Sequence, residues 1–95
     1  MFSVYRTNEA QGPLRAVWEQ AGSALRKAIL QATHEVDQLL YNQPHEQGES
    51  RGGQVRILFF PPLGILFEVD HDKRLVTILR SWAFRAREDR DGRWE

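Results

Sequence analysis

The residues of this chain whose types and spacing could do chemistry are arginines of its second half: Arg51, Arg56, Arg80, Arg85 and Arg87, with Trp82 among them. Arginine stays charged at neutrality and its planar fork matches phosphate oxygens, so Arg56, Arg80 and Arg85 could offset phosphate charge in a transition state. Arg51, Trp82 and Arg87 could contact a nucleic acid or another target by holding phosphates and stacking a base. The competing reading is that these arginines are solvated or pair with Glu49, Glu68 and Glu88.

Other motifs carry less. The stretch "HEVDQ" at 34–38 begins like a zinc-protease helix but has Gln38 where the second histidine is required. His34, His45 and His71 show no ligand spacing, so no metal site and no cofactor is expected. The segment "GESRGG" at 48–53 leads into a strand and lacks the Lys-Ser/Thr ending of a phosphate loop. Asp70 and Asp72 flank a turn and read as solvated.

Ninety-five residues suffice for one modest core, and 41% hydrophobic residues place the chain among folded proteins. Thirteen basic and thirteen acidic side chains cancel, which removes any global field toward nucleic acid. Without cysteine there is neither a disulfide nor a thiolate site. No apolar run reaches membrane-spanning length and "MFSVYRTNEA" lacks a signal-peptide core, so a cytoplasmic protein with no membrane partner is expected.

The elements that must position the arginines follow from periodicity. "FSVYRT" reads as a strand. Apolar residues from Leu14 to Leu40 recur at helical spacing, broken at Gly22-Ser23, which predicts helices over 13–21 and 23–41. Pro13 is expected at the first position of one helix and Ser23 as the cap of the other. A polar loop is expected over 42–53 and strands over 55–60, 64–70 and 75–82. "FFPPLG" is then a hairpin corner, since Pro61 and Pro62 cannot donate to a ladder. Alternation puts Val55, Ile57 and Phe59 with Ile65, Phe67 and Val69 under the helices, and Trp18 against Ile57 and Phe67. Leu58, Phe60 and Leu66 then fall on the other face. The expected architecture is one two-layer α+β domain over 1–85: a strand, an α-helical hairpin and an antiparallel three-stranded meander. The charged tail 86–95 is expected to fray.

This order resembles the RelE/ParE toxin superfamily. The likeness is carried by "HEVDQLLYNQP", "HEQGESR", "VRILFFPPLGILFEVD" and "RLVTILRSW", and spans roughly residues 2–85. It implies an antiparallel sheet with the N-terminal strand beside the last one. It also implies the toxin of a type II toxin–antitoxin module, of the kind tied to plasmid stabilisation and growth inhibition in bacteria and archaea. In that superfamily the RelE branch cleaves mRNA on the ribosome without metal, and the ParE branch poisons DNA gyrase. Both are silenced by a cognate antitoxin, for which the expected surface here is Leu58, Phe60 and Leu66. A small-molecule substrate is not expected. The chain departs from the ribonuclease pattern. Gly64 stands where a basic residue begins the strand after the hairpin, and no His or Tyr follows Arg85. The expected activity is therefore target binding. A metal-independent mRNA endoribonuclease and a non-toxic protein-binding module are the alternatives.

Overall fold

The computed structural model describes residues 1–83; Arg85, Arg87, Glu88 and the tail expected from residue 86 lie outside the described residues. The elements are β1 (Ser3–Arg6), α1 (Asn8–Gln20), α2 (Ser23–Asn42), a 3-10 turn (Pro44–Glu46), β2 (Glu49–Ser50), β3 (Val55–Phe60), β4 (Leu63–Asp70) and β5 (Leu75–Ala83). The α+β class, the helical hairpin and the meander agree with expectation. The five strands form one sheet in the order β1-β5-β4-β3-β2, so the N-terminal strand does lie beside the last.

Four expectations need correction. The β1–β5 pair is parallel, which makes the sheet mixed rather than antiparallel. A parallel neighbour requires a long crossover, and α1 and α2 are part of it. Helix α1 begins at Asn8, not Pro13, because the Thr7 side chain accepts from the Ala10 N–H and caps it there. Pro13 therefore lies inside the helix, where it cannot donate back to the Glu9 carbonyl. Ser23 is the first residue of α2 and Gly22 occupies the cap position, with no side-chain capping bond. The region 42–53, expected as loop, contains the 3-10 turn and the two-residue edge strand β2.

The two helices cover one face of the sheet. Ile29, Ala32, Val36 and Leu40 of α2 recur every three or four residues and are buried against Leu63, Ile65, Phe67 and Val69 of β4 and Val76 and Ile78 of β5. At the end of α1, Arg26 donates from Nε to the Trp18 carbonyl at 2.9 Å and from Nη2 to the Glu19 carbonyl at 3.3 Å. Its guanidinium also stands 5.3 Å from the Trp18 ring. This one side chain adds to the Ala21 N–H in capping the C-terminal carbonyls of α1 and ties the start of α2 to the end of α1. Trp18 joins the core only at its margin, and Arg6 of β1 pairs with Asp37 of α2.

The edge of the sheet depends on Gly48. Its φ is +66°, and a Cβ there would stand 2.0 Å from the Ile57 carbonyl oxygen. Gly48→Ala is expected to cost about 1–2 kcal/mol for the left-handed backbone alone and to detach β2. Urea unfolding should show the loss. Hydrogen exchange should quicken at the Arg51 amide, which donates to the Val55 carbonyl at 2.8 Å.

Candidate functional site

Among the described residues the helices leave the other face of the sheet uncovered, and strand register decides what stands there. Cross-strand partners share a face. In β3 and β4 the pairs Leu58↔Ile65, Phe60↔Leu63 and Arg56↔Phe67 belong to the helix side, because Leu63, Ile65 and Phe67 are buried. The pairs Phe59↔Gly64, Ile57↔Leu66 and Val55↔Glu68 belong to the open side. The phase expected for β3 was therefore inverted. Leu58 and Phe60 pack on the core, while Phe59 is 57% exposed. Trp18 consequently cannot meet Ile57, which lies across the sheet. Of the three residues expected to form one apolar surface, only Leu66 is on the open face.

Arg56 misled the phase. An arginine in a strand suggests the solvent side, yet its Nε donates to the Gln47 carbonyl at 2.7 Å and its Nη2 to the Gly48 carbonyl at 2.9 Å. The loop before β2 supplies acceptors at the rim of the helix side, so the charged head is satisfied there.

Strand β5 changes phase part-way. Phe67 pairs with Ile78, but the next residue back, Leu66, pairs with Arg80, so Leu79 is an extra residue in a bulge. Strict alternation from Val76 and Ile78 would turn Arg80 and Trp82 toward the helices. The bulge reverses this, burying Ser81 opposite Ile65 and bringing Arg80 and Trp82 to the open face. One side chain and one backbone carbonyl of the N-terminal half hold the kink. The Thr7 hydroxyl lies 3.3 Å from the Ile78 carbonyl and 3.2 Å from the Leu79 carbonyl, and Ser81 donates to the Ala10 carbonyl of α1.

The open face is thus built in rows across the strands. One row is Phe59, Gly64 and Trp82; the next is Glu49, Ile57, Leu66 and Arg80; the third is Val55, Glu68, Thr77 and Tyr5. The rings of Phe59 and Trp82 stand edge-to-face at 6.2 Å across Gly64. An added Cβ on Gly64 would fall 2.3–2.5 Å from atoms of the Trp82 indole, so the indole lies directly over this glycine. That accounts physically for the departure at position 64: a side chain there would occupy the space the indole fills.

Of the arginines singled out, Arg80 alone among Arg51, Arg56 and Arg80 is on this face. It borders a shallow cleft lined also by Glu9, Pro13, Ser81 and Trp82. Arg51 is exposed in the turn before β3. Arg56 points to the other side, so Arg56 and Arg80 do not converge. Arg85 and Arg87 lie outside the described residues. Asp70, expected as a solvated residue flanking the turn, accepts through Oδ1 from the Lys73 N–H at 3.0 Å. Sequence reading missed Ile57 and Phe59, because five of the six residues in "VRILFF" are apolar and either phase fits. The site combines an aromatic pair, two aliphatic side chains and one guanidinium. It can bind an apolar surface; Glu49 and Glu68 stand on the rows with Ile57 and Val55, and Glu9 lines the cleft beside Arg80. Among the described residues no helix is long and apolar enough to cross a membrane.

Comparison with protein-family profiles and with curated proteins returns no match. Solved structures do match. A chain of the chromosomal ParDE toxin–antitoxin system of Pseudomonas aeruginosa superposes with a TM-score of 0.67 at 22% identity, over 90% of this chain and 98% of that one. One from the RelBE2 toxin–antitoxin complex of Mycobacterium tuberculosis gives 0.63 at 18% identity, over 90% and 93%. The isolated RelE toxin of Escherichia coli gives 0.60 at 15% identity, over 93% and 89%. The chain has the RelE/ParE-like toxin fold.

Proposed function

We propose that this chain is the toxin component of a type II toxin–antitoxin module, that it acts by binding a cellular target, and that a cognate antitoxin neutralises it. The single observation that supports this most is the superposition over nine-tenths of the chain on components of such modules. The open face is the contact surface in this reading. A row of this kind, with Ile57 and Leu66 between Glu49 and Arg80, suits a partner segment that offers aliphatic side chains flanked by opposite charges. The surface first assigned to Leu58, Phe60 and Leu66 is accordingly redrawn as Ile57, Phe59, Leu66 and Trp82.

Binding fits better than ribonuclease chemistry. A metal-free ribonuclease needs a base for the 2′-hydroxyl and an acid for the leaving oxygen, besides charge for the phosphate. On the described open face Arg80 answers the last need. Arg56 is held by loop carbonyls on the far side, and His71 stands in the β4–β5 turn, at the other end of β4 from the proline corner.

Induced expression should arrest growth, and co-expression of a cognate antitoxin should relieve the arrest. Leu66→Asp should leave the fold intact and weaken the complex with that antitoxin at least tenfold, or about 1.4 kcal/mol. A complex of unchanged affinity would remove this face from the reading. Codon-specific cuts in ribosome-bound mRNA that vanish in Arg80→Ala would instead make the chain a ribonuclease.

A further inference from the structure

Two histidines far apart in sequence meet at the end of the molecule away from the proline corner. His45 lies in the 3-10 turn after α2, and His71 opens the turn between β4 and β5. Their ring centroids are 5.6 Å apart and the planes are inclined by 54°, so they do not stack face to face. Both rings are exposed, and no hydrogen bond from another described residue engages either. The position is well fixed. Buried Phe2 meets the His71 ring edge-on at 6.1 Å, the Phe2 amide donates to the Tyr41 carbonyl at 3.0 Å, and the Arg74 guanidinium stands 5.9 Å from the Phe2 ring. Three segments of the chain converge there: the end of α2, the N-terminus and the β4–β5 turn.

Imidazole nitrogens bind first-row transition ions at about 2.0–2.1 Å, which puts the centroids of two rings on one ion roughly 5–6 Å apart. The His45–His71 separation is of that size. Nitrogen donors suit Ni²⁺, Cu²⁺ and Zn²⁺, whereas Mg²⁺ and Ca²⁺ require oxygen. Glu46, Asp70 and Asp72 adjoin the two histidines in sequence and offset the charge of Lys73 and Arg74.

We propose that His45 and His71 form a two-imidazole clasp for a divalent ion of the Ni²⁺, Cu²⁺ or Zn²⁺ kind, with water completing the coordination. The bound ion ties the end of α2 to the β4–β5 turn and so stabilises the docking of α2 and β1 together. This site is on the far end of the sheet from the Phe59–Trp82 pair and is independent of the toxin reading.

The test is thermal unfolding of the untagged full chain with Ni²⁺, Zn²⁺ or Cu²⁺ added against a chelator control. An ion at about ten times its dissociation constant stabilises by about 1.4 kcal/mol and should raise the midpoint by about 6–11 °C. The rise should vanish in His45→Gln and in His71→Gln, and persist in His34→Gln, whose imidazole is exposed on α2. Copper electron paramagnetic resonance should show coupling to nitrogens of both imidazoles, and to one in either variant. No rise in the natural chain, or the same rise in all the variants, overturns the clasp.

Discussion

Phe67→Ala is expected to remove about 3–5 kcal/mol of stability, a large part of the roughly 5–15 kcal/mol that a domain commands. Phe67 is 0% exposed and is the largest fully buried side chain among the described residues. It projects from the central strand β4, beneath the helices, with Ile78 of β5 and Arg56 of β3 beside it. Neighbouring side chains are fixed by a sheet on one side and helices on the other. They cannot close the space, so a cavity cost adds to the lost transfer energy. Phe59→Ala removes the same ring from the opposite face, where it is 57% exposed, and should cost about 1 kcal/mol or less. Chemical-denaturation midpoints of the two variants check this together. Comparable losses would mean that the open face is covered in the folded chain and would displace the candidate site.

Gly64→Ala is the second large effect. The added methyl must lie within 2.3–2.5 Å of the Trp82 indole, far inside contact distance. Either the indole swings off the sheet or β4 moves, and β4 is held by ladders on both sides. The ring should therefore move. The expected result is a loss of about 1–3 kcal/mol with exposure of Trp82, read as a red shift of tryptophan emission. Trp82→Phe in the same background should recover part of the stability, because the smaller ring leaves room for the methyl. If Gly64→Ala is silent in emission and midpoint, the indole is not seated on Gly64. The aromatic row would then lose its central element, and with it the account of why this position bears no basic side chain.

Both variants bear on the proposed function from different sides. Phe67→Ala weakens the scaffold and leaves the open-face residues in place. Gly64→Ala disturbs the face while sparing the helix-side core. Loss of antitoxin binding in the second at temperatures where both are folded would identify the aromatic row as contact surface.

The sequence by itself determined β1, the helical hairpin, the three long strands β3, β4 and β5, and the inward face of one of these strands. Helical spacing from Leu14 to Leu40 with a break at Gly22 defines the hairpin, and two adjacent prolines end β3 because neither can donate to a ladder. Alternation in "ILFEVD" orients β4 unambiguously, since Glu68 and Asp70 oppose Phe67 and Val69. The rest was decided in three dimensions. In "VRILFF" either phase is apolar, and the one charged residue pointed the wrong way because the loop carbonyls of Gln47 and Gly48, distant in local pattern, receive its guanidinium. In "LVTILRSW" the pattern continues smoothly through Leu79, yet the ladder does not. The bulge is stabilised by Thr7 and by Ser81 on Ala10, partners about seventy residues away, so a local period cannot report it. That single extra residue carries Arg80 and Trp82 from the buried face to the open one. The same limit applies to His45 and His71, which no spacing joins and which only the folding of the β4–β5 turn against the end of α2 brings to 5.6 Å.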